Sequence, residues 1–316
     1  AWADGILKAN QDKEVIVVTH AFTFTDNTRM SRCDANSAAS FGVGQDNDGD
    51  AVWWKLVRKY ANIRMVLSGH VNTGDGTGHR IDIGAGGNLV NQMLSDYQSD
   101  AMGGGGYLRM IRISPSLNSV SVSTYSPYTN SYKTDSHNQF TVPYLSDGTQ
   151  GAGTISGRVR NAVSCKPVSG VTVAFSGGSG VTDSNGMFSI SAPAISSFSI
   201  TATLNGWASD SRSATASPDQ SSRPSPTKIF LAAAGRISGY IRTPAGAPVA
   251  GAILALNGGD LRLGTTVTTD SSGAYDSGPL AIGRYTVSVS APGYAGSQSA
   301  ASVNAGASTV LDVNLQ

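Results

Sequence analysis

The sequence predicts a chain of several domains: a partial α/β (α+β) sandwich over 1–148, followed by two all-β sandwiches over 153–232 and 234–316. Three observations lead there. In the front part, two short β-branched runs flank an amphipathic helical stretch, the order that places strands side by side with a crossover helix. Near residue 150 the composition changes. Residues 1–150 hold 12 Lys and Arg, 14 Asp and Glu, all four His and three of the four Trp, whereas residues 151–316 hold 10 and 7 and no His. Behind that point one pattern occurs twice, 82 residues apart at its start and 87 at a later turn. A length of 316 residues fits two or three domains of ordinary size.

The elements follow in order. Val15-Ile-Val-Val18 is a continuous β-branched run, the pattern of a strand buried on both faces, and it delivers Thr19-His20 at its end. Between Ala51 and Tyr60, Val52, Trp53, Leu56, Val57 and Tyr60 recur at helical spacing with Lys55, Arg58 and Lys59 between them, so a helix is expected. Asp46-Asn-Asp-Gly-Asp50 lacks the later Glu of a calcium loop and reads as the N-cap run of that helix. Trp53 and Trp54 then become core and half-exposed positions. Ile63-Arg-Met-Val-Leu67 is a second buried strand, ending in Ser68-Gly69-His70. Tyr107–Ile113 and Ser119–Tyr125 alternate and read as antiparallel strands, with Gly103–Gly106 as a turn before them. Leu145–Gly153 has the composition of a linker.

Several function classes are excluded. A balance of 22 basic against 21 acidic residues with no basic block gives no electrostatic footprint for nucleic acid or an anionic membrane. No apolar run reaches the ~18 residues of a membrane span. The glycine run has no following helix and no Lys-Ser/Thr, so it is not a phosphate-binding P-loop. There is no Gly-x-Ser-x-Gly elbow, and Cys33 and Cys165, far apart and in different halves, form neither a CxxC zinc motif nor a disulfide-rich scaffold. Ala1 is followed by neither a basic nor a long apolar segment, so the expectation is either a mature chain that starts here or the rear part of a longer polypeptide, between which the motifs below decide for the second.

In the repeat, Gly153-Thr-Ile-Ser-Gly-Arg-Val is matched by Gly235-Arg-Ile-Ser-Gly-Tyr-Ile, and Pro167-Val-Ser-Gly-Val by Pro248-Val-Ala-Gly-Ala. Thr182-Asp-Ser-Asn-Gly-Met-Phe188 is matched by Thr269-Asp-Ser-Ser-Gly-Ala-Tyr275. Short β runs separated by Asn-Gly and Pro-x-Gly turns in a unit of ~80 residues call for a β-sandwich. With Gly283-Arg-Tyr-Thr-Val and Ala291-Pro-Gly-Tyr294 added, the second copy resembles the carboxypeptidase regulatory-like family in full. The first copy carries Ser199–Ala202 and Asn205-Gly-Trp207 in place of the last two elements. The resemblance implies accessory, spacer or adhesive modules, with cell-surface or carbohydrate contacts and self-association as their expected partners.

Chemistry centres on Val18-Thr-His20 and Leu67-Ser-Gly-His70-Val-Asn72. Each His stands where a strand ends, and two parallel neighbours would bring both imidazoles to one sheet edge, a donor set suited to Zn, Fe, Mn or Ni. Gly69 is expected to supply the sharp turn that aims His70. Together with Gly87-Asn88 through Gln98, Gly105–Arg109, Thr124–Pro127 and Gln139-Phe140, this order resembles the calcineurin-like metallophosphoesterase family, in a secreted bacterial branch, over residues 1 to about 145. The resemblance implies hydrolysis of a phosphorylated small molecule or phosphodiester at a divalent metal pair (Mn, Fe or Zn), in an extracellular or cell-surface protein. Under it, His20 and His70 ligate one metal, and Asn72 stands where the other metal would take a His. The family's Asp-x-His, Gly-Asp-x-x-Asp and Gly-Asn-His motifs are missing at the front, so a partial site or none, and little or no turnover, are expected of this chain alone. Asp135-Ser-His137 spells Asp-x-His but follows no buried strand and is not expected to hold metal; His79 reads as a surface-loop residue. The alternative is a non-catalytic extracellular adhesive or self-assembling structural protein.

Overall fold

The computed structural model describes residues 2–35, 37, 47–145, 152–194, 196–218, 227–261 and 263–316. Asp46 and the linker positions 146–151 lie outside these residues.

The front part is built on a four-stranded sheet. Helix α1 (Trp2–Ala9), strand β1 (Val15–Thr19), helix α2 (Gly49–Lys55), and strands β2 (Ile63–Ser68), β3 (Thr77–Ile83) and β4 (Leu89–Ser95) come in that order. The sheet order is β1-β2-β4-β3; β1, β2 and β4 are parallel and β3 antiparallel. Register runs Val15↔Ile63 to Thr19↔Ser68, so both expected strands end side by side. One face of the sheet packs Val15, Val17, Ile63, Val66 and Val90 against Leu7, Trp53 and Val57 of the helical side. Trp53 is 1% exposed, and burying an indole of that size contributes ~2–3 kcal/mol. The other face packs Met65, Leu67 and Met93 against a second sheet. That sheet comprises β5 (Leu108–Ser114), β6 (Ser119–Ser126), β7 (Ser131–Lys133) and β8 (Phe140–Pro143), all antiparallel to β6.

Two expectations change here. The helix is shorter than its periodicity suggests: α2 stops at Leu56 (φ −133°) and a 3₁₀ turn, Val57–Lys59, completes the run. Its start is as expected, with Asp48 as N-cap accepting from Ala51 N at 2.8 Å. β1 is not buried on both faces. It is the sheet's edge, and its second face lies beyond the cover of the second sheet, leaving Ile16 45% and Val18 76% exposed. A β-branched run states that a strand forms, not that both of its faces are covered.

Behind 151 come β9 (Ala152–Asn161), β10 (Thr172–Phe175), β11 (Gly178–Val181), β12 (Met187–Pro193), β13 (Ser197–Thr203), β14 (Trp207–Ala208), β15 (Asp210–Thr215) and β16 (Ser217–Pro218). The 16-residue β17 (Thr227–Arg242) follows. After it come β18 (Ile253–Gly258), β19 (Leu263–Thr268), β20 (Ala274–Asp276), β21 (Leu280–Ala281), β22 (Gly283–Ser290), β23 (Ser297–Val303), β24 (Ser308–Val310) and β25 (Val313–Asn314). Each unit is a β-sandwich: the sheet β11-β10-β13-β15 faces β12-β9-β17, and β19-β18-β22-β23 faces strands paired on β17. β17 runs through the point where the sequence divides the units, pairing with β9 over 227–231 and with β20, β24 and β25 over 236–242.

The repeated Thr-Asp-Ser-x-Gly turn does the same work twice. Thr182 Oγ1 donates to Val168 O (2.8 Å) and accepts from Val171 N (3.0 Å); Thr269 Oγ1 donates to Val249 O (2.7 Å) and accepts from Ala252 N (2.9 Å). Gly186 (φ 73°) and Gly273 (φ 75°) close the two turns, where a Cβ would lie 2.4 and 2.5 Å from the Val159 and Ile241 carbonyl oxygens. Only glycine fits there.

The loop after His20 fastens the front part to both sandwiches. Cys33 and Cys165 form a disulfide (Cα–Cα 5.5 Å), a pairing that their separation of 132 residues hides from any motif in the sequence. Asp34 is paired with Lys228 (2.6 Å) and Arg160 (3.5 Å), and Arg32 reaches the carbonyl oxygens of Ala162 and Asp260. Beside it runs a chain of buried and partly buried charges, three guanidiniums against three carboxylates. Arg80 grips Asp82 with two bonds (2.6 and 2.9 Å), and Arg29 bridges Asp82 to Asp50 (3.1 Å to the latter). Arg212 of the first sandwich joins Asp50 (3.7 Å) to Asp210 (2.8 Å). Burial pushes the Asp82 carboxyl up, but the Arg80 and Arg29 guanidiniums outweigh it and hold it well below the usual carboxylate range.

Candidate metal centre

The C-terminal ends of β1, β2 and β4 form one edge of the front sheet. His20 follows β1 directly, and Gly69 N donates to His20 O (3.1 Å), tying the ends of the two strands together. His70 is the centre of a γ-turn closed by Val71 N to Gly69 O (3.0 Å), with φ 72°. This corrects the role expected of Gly69: the unusual backbone conformation falls on the histidine itself. A bulky residue held there stores ~1–3 kcal/mol of strain, a cost that proteins carry mostly at functional sites. The turn brings the His20 and His70 ring centroids to 4.5 Å, tilted by 53°. Asn72 lies half-buried two residues further along the same loop.

Loop 69–76 is fixed at its far end by Gly76. Its φ is 66°, Asp96 N donates to its carbonyl (2.8 Å), and a Cβ there would lie 1.7 Å from Asp96 O. This close approach presents Asp75 beside the loop that follows β7. Asp75 Oδ1 accepts from Thr77 N (3.0 Å), while Oδ2 meets His137 Nδ1 at 2.6 Å. Asp75, Asp135 and His137 each place one ligand-type atom within 4.8 Å of the others. Asp135-Ser-His137, unpromising in the sequence because no buried strand precedes it, is thus joined by a partner 60 positions upstream of Asp135. A spacing-based motif search has no means of finding such a partner.

Around these loops, Arg109 donates to Leu94 O (3.0 Å) and His137 O (2.9 Å), locking the loop after β7 to the end of β4. Burial pulls the Arg109 guanidinium down from its ordinary value. Asn138, 1% exposed, gives its amide to both Asp135 oxygens (3.1 and 2.9 Å) and receives the Tyr97 hydroxyl (3.2 Å). Burial raises and the Asn138 hydrogen bond lowers the Asp135 carboxyl, with a net shift downward.

His79 does not sit in a surface loop. It lies in β3, 2% exposed, its Nε2 3.2 Å from Asn91 Oδ1 and its ring centroid 4.9 Å from that of Phe140, tilted by 36°. The flanking glycines suggest a loop, but pairing of β3 with β4 over seven positions overrides them.

Comparison with known proteins gives four findings. The sequence model of the carboxypeptidase regulatory-like domain matches residues 236–316, so the last sandwich is similar to that family. The chain is 32% identical over 143 residues to YvnB, an uncharacterized protein of Bacillus subtilis strain 168, covering 43% of this chain and about a tenth of that protein's length. Among solved structures, the Bacillus anthracis TIE protein is similar at 12% identity and TM-score 0.25, covering 77% of this chain and 50% of the other. GBS52, the minor pilin of Streptococcus agalactiae, is similar at 11% identity and TM-score 0.26, covering 52% and 95%.

Proposed function

We propose that this chain contributes the histidine half of a metal-dependent phosphoester-hydrolysing centre carried on two extracellular β-sandwich modules. The observation behind this reading is the His20–His70 pair, two imidazoles with centroids 4.5 Å apart at the ends of adjacent parallel strands. Those are the positions that resemblance to calcineurin-like metallophosphoesterases assigns to two ligands of one metal. That separation is of the order found when two imidazoles share a cation, each binding through one nitrogen at ~2.0–2.1 Å. The strained turn at His70 supports a role for that side chain beyond packing.

The residues fit one cation. For the second of a pair this sequence offers Asn72, whose amide oxygen is a harder and weaker ligand than imidazole. Bound divalent metal in such a centre supplies an activated water and polarises the phosphoryl group of a phosphomonoester or phosphodiester. This chain's own part is to hold two imidazoles at the sheet edge, with His70 fixed by its γ-turn and the strand ends tied by Gly69. The Cys33–Cys165 bridge fits an oxidising, extracellular or cell-surface setting, and among the described residues no helix is long and apolar enough to cross a membrane.

Turnover of 4-nitrophenyl phosphate and its diester with added Mn²⁺, Zn²⁺ or Fe²⁺ tests the reading. Little or no hydrolysis is expected of this chain alone. Preceded by a segment that supplies the Asp-x-His, Gly-Asp-x-x-Asp and Gly-Asn-His motifs, it is expected to turn over and to lose activity on His20→Ala or His70→Ala. Enzyme-like rates from the chain alone, or rates indifferent to both substitutions, would overturn the proposal.

A second reading, a non-catalytic surface-assembly protein, is favoured by the stapled three-part body and by the open β1 edge with Ile16 and Val18 exposed. It expects concentration-dependent association in light scattering that His20→Ala leaves unchanged. A strictly monomeric chain would count against it.

A further inference from the structure

We propose that Asp75, Asp135 and His137 form a second divalent-cation site, of the zinc class, independent of His20 and His70. The donor set is one imidazole and two carboxylates, which suits a borderline ion that takes nitrogen and oxygen ligands together. Two separate loops converge to make it, and the ligand-type atoms already lie within 4.8 Å of one another. Closure around an ion therefore starts from donors that already lie near one another.

Each donor is also held from behind. Thr77 N takes one oxygen of Asp75 and leaves the other directed at His137. Asn138 and the backbone N–H of His137 orient the Asp135 carboxylate, and Tyr97 in turn orients Asn138. Arg109 directs its described hydrogen bonds to carbonyl oxygens, including that of His137, and not to either carboxylate. Such outer-layer support is what fixes ligand orientation in metal sites. Among the described residues the one ion pair that either carboxylate makes is that of Asp75 with His137; the Arg109 guanidinium lies near enough for charge attraction to Asp75 and Asp135 but pairs with neither.

The site takes its place at the edge where β2 and β4 end, the same edge that carries His70. It is open: Asp135 is exposed and Asp75 and His137 are half-buried, leaving room for water or an anionic group on the ion. When the ion binds, the proton that His137 Nδ1 donates to Asp75 Oδ2 moves to solvent or, by tautomerisation, to Nε2, and the hydrogen bond gives way to one bond from Nδ1 and one from the carboxylate to the metal.

Zinc content after equilibrium dialysis, with isothermal titration of Zn²⁺ into the full chain, tests the site. The His20→Ala/His70→Ala double variant is expected to retain one equivalent of zinc, and Asp135→Asn/His137→Ala in that background to retain none. Asp75→Asn, the mildest change, is expected to weaken zinc binding at least tenfold while far-ultraviolet circular dichroism stays unchanged, which separates ligand loss from misfolding. No zinc on the His20→Ala/His70→Ala variant, or zinc there that neither Asp75→Asn nor the Asp135/His137 changes reduce, would overturn the proposal. Zinc lost only through the Asp75, Asp135 and His137 changes, with His20→Ala/His70→Ala silent, would keep this site and remove the support for the histidine pair.

Discussion

Reduction of the Cys33–Cys165 bridge gives the sharpest test of how the front part and the sandwiches are joined. The cross-link closes a loop of 132 residues that holds most of the front part and the first strand of the first sandwich. In the chain-entropy treatment, a loop of that length removes ~17 cal/mol/K from the unfolded chain, or about 5 kcal/mol at 25 °C. That stabilisation counts in full only if Cys33 and Cys165 are released in one cooperative transition. The contacts beside the bridge, Asp34 with Lys228 and Arg160 and Arg212 with Asp50, make joint release the expected course. With a guanidinium slope of ~2–6 kcal/mol/M, the midpoint should fall by roughly 0.8–2.5 M on adding reductant. The assay is guanidinium unfolding followed by tryptophan fluorescence, with and without reductant, on the native chain and on Cys33→Ser/Cys165→Ser. The variant should match the reduced chain and be indifferent to reductant. Superimposable curves for oxidised and reduced chains would refute the coupling, because the two halves would then unfold without reference to one another.

Asp82→Asn should destabilise the front part by about 3–5 kcal/mol, since Arg29 and Arg80 lose a fully buried counter-charge. Because the folded carboxyl is held below its unfolded value of ~3.9, its stabilisation is present above that pH and lost as pH falls below it; urea midpoints measured from pH 6 to 3 should fall in the native chain and flatten in the variant. His70→Gly should raise the thermal midpoint by the equivalent of about 1 kcal/mol, because glycine accepts φ 72° without strain, while abolishing metal binding at the pair. Thr182→Val and Thr269→Val should each cost about 2–3 kcal/mol in their own sandwich by leaving a buried carbonyl and N–H unpaired. Calorimetry of each variant reads that cost as a lowered transition.

What the sequence carries and what it does not divides along physical lines. Strand ends, the N-cap at Asp48 and the twin Thr-Asp-Ser-x-Gly turns are local, and local chemistry states them: β1 and β2 pair in parallel and their terminal histidines meet. The coverage of β1 is not local. The same Val15–Val18 run serves a central or an edge strand, and only the extent of the second sheet decides that Val18 faces solvent. Gly69 suggests itself as the source of the turn because glycine tolerates left-handed backbone, yet His70 adopts that conformation. The Asp75–His137 contact and the Cys33–Cys165 bridge join positions 62 and 132 residues apart, distances over which no periodicity or motif spacing operates. His79 departs from its expected loop for a related reason, since the glycines beside it allow close packing against a neighbouring segment as readily as a loop.

The measurement that bears most directly on the histidine pair is anomalous diffraction from crystals of the chain grown with Zn²⁺ or Mn²⁺. The expected result is a peak ~2.0–2.1 Å from one ring nitrogen of His20 and one of His70. A metal found only elsewhere on the molecule, with both rings keeping their present mutual packing, would contradict it.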